Sequence, residues 1–303
     1  MGMTQNQLNL VKYVAENDFA KAKTAALCCC AEDTTQKNHY AVEKYKSLLR
    51  SGGMNLISLP PDISKFATME DLTNTYLENR YYLTQEEKQL FELIKNMNEV
   101  SLQLMEKQIP YLNATLLYGE SGVGKTAFSR YVAYKLGLPY LYVNFSRMMD
   151  SYLGGTAKNL TNLFQYINQQ QCVVMLDEID SLAVKRQYGR DGASSEISRS
   201  TTCLLQLLDS VTNDHIIIAA TNLIEDVDAA VKRRFTEKRE LHRLSSEDNE
   251  RFICQYLDDT GYAYDLDSVK IYAQGNHSQA EIMTHVTRSI ANTLINKVEL
   301  VIL

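Results

Sequence analysis

Some features that would decide the class of this protein are missing from its sequence. No apolar run approaches the roughly 20 residues needed to cross a bilayer, and the first residues lack the pattern of a signal peptide. The six cysteines include no C-x-x-C pair and the five histidines lack metal-ligand spacing, so neither a zinc ribbon nor a disulfide framework is expected. The formal net charge of −6 argues against a surface that coats nucleic acid, although a local basic groove stays open. We therefore expect a cytoplasmic protein with no membrane contact.

The sequence does contain a glycine-rich loop directly after an apolar segment, LLYGESGVGKT at residues 116–126. It matches the phosphate-loop pattern G-x-x-x-x-G-K-[ST], in which backbone N–H groups close on phosphates. Lys125 is expected to reach the β- and γ-phosphates and Thr126 to offer a hydroxyl to Mg²⁺, at the positive end of a helix. A chance turn is the alternative, which the flanking strand-like and helix-like segments disfavour. The residues expected to bind the nucleotide here are Gly119, Glu120, Ser121, Gly122, Val123, Gly124, Lys125, Thr126 and Ala127.

A second apolar run, residues 172–176, leads into the acids Asp177 and Glu178. Asp177 is expected to hold Mg²⁺, and Glu178 to polarise the water that attacks the γ-phosphate. By itself, a buried strand with a polar turn would explain the segment equally well. Coupled to the phosphate loop, it indicates the second half of a nucleotide site, because ligands of such sheets collect at the carboxyl ends of strands.

Two later segments add candidate catalytic groups. Asn222 follows the apolar run 216–220, where its amide could position the attacking water. Arg233 and Arg234 follow soon after and are adjacent. They are either a solvated basic helix end or arginine fingers that a neighbouring subunit's ATP would use.

The order of apolar runs predicts the fold class. ATLLYG, LPYLYVN, QCVVMLDE and HIIIAATN alternate with helix-like segments from residue 113 onward, which is typical of a parallel sheet covered on both faces. Residues 63–112 have a helical pattern, with Thr84 and Glu87 as a capping box. The chain after Leu244 is predicted to be a small helical domain, and its final VELVIL fits either a strand or a helix end.

Taken together, GESGVGKT, VVMLDEID, AATN and DAAVKRRF resemble the AAA+ ATPases over residues 81–300, with the best fit to ring-forming protein remodellers of the katanin/spastin-like and unfoldase groups. The resemblance implies an α/β fold, with the parallel sheet of a P-loop NTPase, a C-terminal helical lid and an N-terminal helical extension. It also implies ATP and Mg²⁺ as cofactors. The expected domains are a helical domain at 1–60 that binds a partner or client, a linker with helices at 61–112, the ATPase domain at 113–244 and the lid at 245–303.

The resemblance also assigns residues by position. Asn144 matches the polar residue that restrains the catalytic glutamate, Arg233 and Arg234 match paired arginine fingers, and Tyr82 lies in the linker that contacts adenine, between Tyr81 and Leu83. Tyr152, Leu153 and Gly154 resemble the pore loop that grips an unfolded polypeptide, with a tyrosine packed on its own domain as the alternative. Arg199 falls near an intersubunit arginine of the family.

The sequence departs from the family in two places. Many members have two residues between the finger arginines, whereas Arg233 and Arg234 are adjacent. In the lid signature at residues 275–281, Gln279 replaces the second glycine, and no arginine stands there to contact the nucleotide in cis.

The function expected from these features is an ATP-driven motor that remodels, unfolds or disassembles a protein client as a homo-oligomer, a hexamer by the resemblance. One alternative is a DNA-associated ATPase, such as a helicase loader or a transposition or phage-related factor. Lys185, Arg186, Arg190 and Arg199 could then contact nucleic acid. Another is a nucleotide-dependent scaffold, which the intact pair of Asp177 and Glu178 disfavours.

Overall fold

The structure is a computed structural model that describes residues 3–15, 19–33, 38, 42–43, 45–46, 56–149, 155–183, 192–211, 215–297 and 300–303. The chain divides into two compact units, Met1–Ser58 and Leu59–Leu303. In the first unit, helices α1 (Gln5–Ala15) and α2 (Phe19–Glu32) pack against each other. Ala22 and Ala25 are buried on α2.

The second unit alternates helices and strands along most of its length. Its described helices are α3 (Gln85–Glu106), α4 (Lys125–Leu136), α5 (Phe145–Met149), α6 (Gly155–Ile167), α7 (Gly192–Asp209), α8 (Ala229–Lys232), α9 (Ser246–Thr260), α10 (Leu266–Ala273) and α11 (Gln279–Asn296). After β1 (Leu56–Ile57) of the first unit, the strands are β2 (Ala67–Glu70), β3 (Asn113–Tyr118), β4 (Tyr140–Asn144), β5 (Val173–Asp177), β6 (Ile216–Thr221), β7 (Glu237–Glu240), β8 (Ala263–Tyr264) and β9 (Leu300–Val301).

Six strands of the second unit form one sheet in the order β2-β4-β5-β6-β3-β7. Strands β4, β5, β6, β3 and β7 run parallel, and β2 pairs antiparallel with β4. The four apolar runs predicted as strands are therefore confirmed. In register, Asn144 lies beside Asp177 and Tyr118 beside Thr221, so the ends of four strands share one edge of the sheet.

Alternate side chains of the central strands enter two different cores. Val174 and Leu176 contribute to the core on one face of the sheet, whereas Val173 and Met175 contribute to the core on the other. All four are fully buried. Burial on both faces explains why these strands are apolar at consecutive positions rather than at alternate ones.

The helical pattern predicted from residue 63 is wrong at Ala67–Glu70, which forms strand β2. Strand β7 was not predicted, because its residues Glu237–Glu240 are all charged. It lies at the sheet edge, where the ladder with β3 fixes the backbone while the side chains stay largely exposed. The capping box of Thr84 and Glu87 is confirmed at the start of α3.

The last part of the chain has its own apolar core, built from α9, α10 and α11. The undecided C-terminal segment contains a strand, β9, which pairs parallel with β8. Leu59–Leu303 forms one compact unit, so the division at 112/113 and 244/245 stays a prediction. Among the described residues, no helix is long and apolar enough to cross a membrane.

Candidate nucleotide site

The glycine-rich loop joins the end of β3 to the start of α4. Gly124 is the residue before the helix and has φ 113°, and its carbonyl accepts the N–H of Phe128. A Cβ on Gly124 would lie 2.9 Å from the ring of Tyr81, so glycine permits this close approach. Backbone N–H groups at the start of such a helix, together with its dipole, favour an anion.

Lys125 is the buried cation of this loop, with 8% of its surface exposed. Its Nζ donates hydrogen bonds to the carbonyl oxygens of Gly119 (2.8 Å) and Glu120 (2.7 Å). Burial lowers the pKa of the ammonium, and the carboxylates of Asp177 and Asp180 oppose that shift. The loop therefore presents a positive charge in a low-dielectric setting, where an anion would interact with it strongly.

Gly119 begins the loop in a conformation that glycine alone adopts readily, with φ 134°. A Cβ at this position would lie 2.3 Å from the backbone oxygen of Leu241, whose N–H donates to Tyr118. We expect Gly119→Ala to lower the free energy of unfolding by more than about 3 kcal/mol, measured by denaturant titration, because backbone must move to accept it.

The matched control is Gly137→Ala. Gly137 also has a positive φ, 64°, but no heavy atom lies within 4 Å of an added Cβ. This substitution should lower the free energy of unfolding by only about 1 kcal/mol, the cost of a side chain in the left-handed backbone conformation. If both variants lost the same free energy of unfolding, the close approach of Gly119 to Leu241 would have no effect on stability.

Strand β5 delivers Asp177 to the same edge of the sheet. Its carboxylate accepts a hydrogen bond from Tyr142 Oη (2.9 Å) and from the N–H of Glu178 (3.0 Å). Burial raises the pKa of Asp177, and these two hydrogen bonds oppose the shift. Tyr142 was not singled out from the sequence, because its contact with Asp177 exists only through the pairing of β4 with β5.

Glu178 occupies a left-handed backbone conformation, with φ 56° and ψ 45°. A non-glycine residue rarely adopts it, and such positions concentrate at functional sites. The side chain of Glu178 is exposed at the cavity, unlike that of its neighbour Ile179. The turn thus directs the chain away from the core immediately after the strand ends.

Strand β6, which pairs with β5, ends at Thr221, and Asn222 follows it. Thr221 Oγ1 donates to Asp180 (2.5 Å) and accepts the N–H of Leu223 (2.9 Å). These bonds connect the turn after β5 to the end of β6 and fix where Asn222 leaves the sheet. Asn222 is exposed and lines the same cavity as Glu178.

A cavity of about 290 Å³ gathers most of the predicted site residues. Those that line it are Ser121, Gly122, Gly124, Lys125, Thr126, Ala127, Asp177, Glu178 and Asn222. Those outside its lining are Gly119, Glu120, Val123, Tyr82, Asn144, Arg233 and Arg234. The cavity thus contains a cation, two carboxylates, an amide and the hydroxyl of Thr126, a donor set suited to a phosphate chain and a hard metal ion.

Tyr81, which the resemblance placed in the adenine-contacting linker, also lines the cavity, and the other described lining residues, Arg80, Gln279, Ala280 and Met283, were not predicted to bind the nucleotide. Arg80 is paired with Asp259 (3.0 Å) and stacks over the ring of Tyr256. The hydroxyl of Tyr81 donates to the buried carboxylate of Glu87. Arg80 thus depends on partners far along the chain, whereas Glu87 lies only six residues from Tyr81.

The two arginines predicted as fingers lie at the end of α8. Arg234 forms a bidentate ion pair with Asp209, with nitrogen–oxygen distances of 2.8 and 2.9 Å. Arg233 is exposed, and its Nε donates to the carbonyl of Ala229. Neither lines the cavity of its own chain.

Asn144 ends β4 beside Asp177, but its side-chain oxygen accepts the N–H of Arg147 at the start of α5. Its predicted restraint of Glu178 stays a prediction. Arg199 lies exposed on α7. The predicted pore loop, Tyr152 to Gly154, lies outside the described residues, as do Lys185, Arg186 and Arg190.

Arg243 is a further residue that the sequence did not indicate. Its Nε donates to Glu120 Oε2 (2.7 Å), and its Nη1 donates to the carbonyl of Asn276. It therefore connects the phosphate loop to the loop that precedes α11. The pair also neutralises the carboxylate of Glu120 next to the place where phosphates are expected.

A parallel sheet that carries this phosphate loop and two acids at its carboxyl edge defines a P-loop nucleoside triphosphatase. Residues 115–243 match the model of the ATPase family associated with various cellular activities (AAA). An uncharacterized AAA family ATPase of Sinorhizobium fredii is 27% identical over 95% of this chain and 88% of its own length. Residues 115–243 therefore form an ATPase domain of the AAA type.

Two further relatives match a shorter part of this chain. ATP-dependent zinc metalloprotease FtsH 1 of Alkaliphilus metalliredigens is 34% identical over 42% of this chain, and the proteasome-activating nucleotidase of Methanococcus maripaludis is 34% identical over 39%. This chain spans only 22% and 30% of their respective lengths. The resemblance to AAA+ ATPases is confirmed, whereas the katanin/spastin-like grouping stays a prediction.

Proposed function

We propose that this ATPase is a motor that remodels or unfolds a protein client, and that it acts as a homo-oligomeric ring. The observation that carries the proposal is the position of Arg233 and Arg234, which lie outside the cavity that holds the other candidate catalytic groups. An arginine that cannot serve its own site is suited to serve a neighbour's. Residues 1–60 would bind the partner or client, and residues 245–303 would act as the lid.

Within one chain, the residues of the cavity supply the groups that bind the phosphates and activate the attacking water. The loop of Gly119 to Thr126 binds the phosphate chain, and Lys125 leaves the two carbonyls that it now contacts for the β- and γ-oxygens. Glu178 accepts a proton from the attacking water, which Asn222 orients. The oxygen of water forms a bond to the γ-phosphorus as the bond to the β–γ bridging oxygen breaks, which yields ADP and phosphate.

The chemistry of the cavity fits Mg²⁺, because Thr126 and Asp177 line it with a hydroxyl and a carboxylate. A site of this kind needs few protein ligands, since Mg²⁺ keeps several waters and is shared with phosphate oxygens. Bound there, the ion would neutralise charge that develops on the β- and γ-oxygens. Tyr142 and the N–H of Glu178 hold the carboxylate of Asp177 in place for this role.

The other half would come from the next subunit. Among the described residues, Arg80 is the cationic group besides Lys125 that lines the cavity, and Asp259 and Tyr256 already engage it. Arg233 and Arg234 of a neighbour would then supply the positive charge that stabilises the transition state. Asp209 holds Arg234 through both of its oxygens, which fixes the direction in which the guanidinium is presented.

A protein client is supported by two relatives, a proteasome-activating nucleotidase and an ATP-dependent zinc metalloprotease. In this chain, Tyr152 to Gly154 would grip the client. An aromatic ring flanked by glycine can insert between side chains of many sequences, so it pulls without demanding a particular one.

The test is to measure ATP hydrolysis by the full chain with and without an unfolded polypeptide, such as a reduced and carboxymethylated protein. We expect the polypeptide to raise the rate severalfold. Tyr152→Ala should abolish this stimulation while the basal rate stays unchanged, because residue 152 lies outside the nucleotide-binding motifs. Tyr152→Phe is the matched control and should keep the stimulation, since it keeps the ring.

Other outcomes would overturn the proposal. Full stimulation of Tyr152→Ala would exclude the gripping role of this loop. Stimulation by DNA instead of polypeptide, falling steeply as salt rises, would favour the DNA-associated alternative.

A further inference from the structure

The side chain of Gln279 binds the backbone of Tyr82 through both of its polar atoms. The N–H of Tyr82 donates to Gln279 Oε1 at 3.4 Å, and Gln279 Nε2 donates to the carbonyl oxygen of Tyr82 at 3.2 Å. Gln279 is buried, with 4% of its surface exposed. A single carboxamide therefore satisfies both backbone groups of one linker residue.

This pair of hydrogen bonds joins the linker to a residue that lines the nucleotide cavity. Gln279 lines the cavity, and its Nε2 would lie 3.6 Å from a Cβ on Gly124 of the phosphate loop. The helix that carries Gln279 is fixed to the same loop, because the N–H of Ala280 donates to the carbonyl of Gly122 at 3.1 Å. Hence Gln279 sits between the phosphate loop and the backbone of Tyr82.

The part of the cavity around Gln279 is suited to a flat base. Phosphates belong at the start of α4, and the lining beyond it includes the ring of Tyr81 and the side chains of Ala280 and Met283. A base in this place needs a donor and an acceptor on the protein to orient it, and the backbone of Tyr82 offers both. Gln279 now occupies them.

We propose that Gln279 is a base-mimicking latch that competes with adenine for the backbone of Tyr82. A carboxamide presents an acceptor beside a donor, and so does the edge of adenine, with a ring nitrogen beside the N6 amino group. Both can pair with the N–H and C=O of one residue, but not at the same time. The proposal rests on ATP binding in this cavity and names the residue that sets its affinity for the base.

Adenine can displace the latch because it replaces both hydrogen bonds that Gln279 gives up, one to the N–H and one to the carbonyl oxygen of Tyr82. A latch of this kind lowers the fraction of protein molecules that are ready to bind adenine. It raises the apparent Kd for ATP by the same factor. It also couples the base to the lid, because Gln279 is the first residue of α11.

The test compares the affinity of the full chain for a non-hydrolysable ATP analogue and for inorganic tripolyphosphate, which has no base. We expect Gln279→Met and Gln279→Ala to bind the analogue about fivefold more tightly, because Tyr82 becomes free. Their affinity for tripolyphosphate should stay within about twofold of the original, because the phosphate loop is unchanged. Methionine keeps the volume of glutamine, and equal thermal unfolding midpoints would confirm that the lid still folds.

Gln255→Met is the matched control. Gln255 Nε2 donates to the carbonyl of Tyr81 at 3.3 Å, so it joins the lid to the same linker, but it does not line the cavity. Its loss should not tighten binding of the analogue. If Gln255→Met tightened binding as much as Gln279→Met, looser linker contacts would explain the effect and the latch would be excluded.

The remaining outcomes separate the latch from the ATPase proposal. Unchanged or weaker binding of the analogue by both Gln279 variants would overturn the latch while the original chain still binds ATP. Equal tightening for tripolyphosphate would also overturn it, because the effect would not concern the base. Failure of the original chain to bind either probe would instead overturn the assignment of the cavity, and with it the latch.

Discussion

Glu178→Gln should reduce the rate of ATP hydrolysis by at least about a hundredfold while leaving the affinity for ATP nearly unchanged, as expected for loss of a general base. The amide keeps the shape of the side chain but cannot accept a proton from water. Glu178 is exposed at the cavity, and its unusual backbone conformation is set by the turn after β5 rather than by its carboxylate. The substitution should therefore leave the fold and the phosphate loop intact.

Steady-state hydrolysis and equilibrium binding of ATP check this prediction. Glu225→Gln is the matched control, since Glu225 is an exposed acid that lines no part of the cavity. It should hydrolyse ATP at the original rate. A Glu178→Gln protein that keeps its turnover would exclude Glu178 as the group that activates water, and Asp180 would become the next acid to test.

The second large effect concerns Arg233 and Arg234. Replacing both with alanine should lower hydrolysis by about a thousandfold, the effect of removing an arginine finger. Because neither residue lines the cavity of its own chain, we expect the loss to fall on the neighbour's site. The variant should therefore bind ATP normally and fail only in turnover.

Mixing two inactive variants tests whether the site is shared. Arg233→Ala/Arg234→Ala subunits keep Glu178, and Glu178→Gln subunits keep both arginines, so some interfaces in a mixed oligomer contain a complete set. Random equal mixing in a closed ring predicts recovery of about a quarter of the original activity. The matched control, Arg288→Ala, removes an exposed arginine that does not line the cavity and should not affect hydrolysis. A mixture no more active than its components would contradict a shared site.

Arg243 and Gln279 suggest how the site and the lid influence each other. Arg243 joins Glu120 of the phosphate loop to the loop before α11, and Gln279 joins the start of α11 to the linker. Both contacts must change if residues 245–303 act as a lid and move relative to the phosphate loop. Binding of the adenine base and binding of the phosphates would then both affect the position of α11.

Much of the fold was predictable because its signals are local. The strands β3, β4, β5 and β6 are apolar at consecutive positions, which burial on both faces requires. The capping box of Thr84 and Glu87 needs only three residues of separation. Strands β2 and β7 were missed, because their stability comes from pairing with β4 and β3 rather than from their own residues.

The sequence alone determined the phosphate loop, the two acids after β5 and the place of Asn222, because each is a short motif attached to the end of a strand. The tertiary structure decided how the site is completed. It alone brings Tyr142 to Asp177, Arg243 to Glu120 and Gln279 to Tyr82. It also holds Arg234 on Asp209, away from its own cavity. These partners lie from 25 to 197 residues apart along the chain, and only the folded chain brings them within hydrogen-bonding distance.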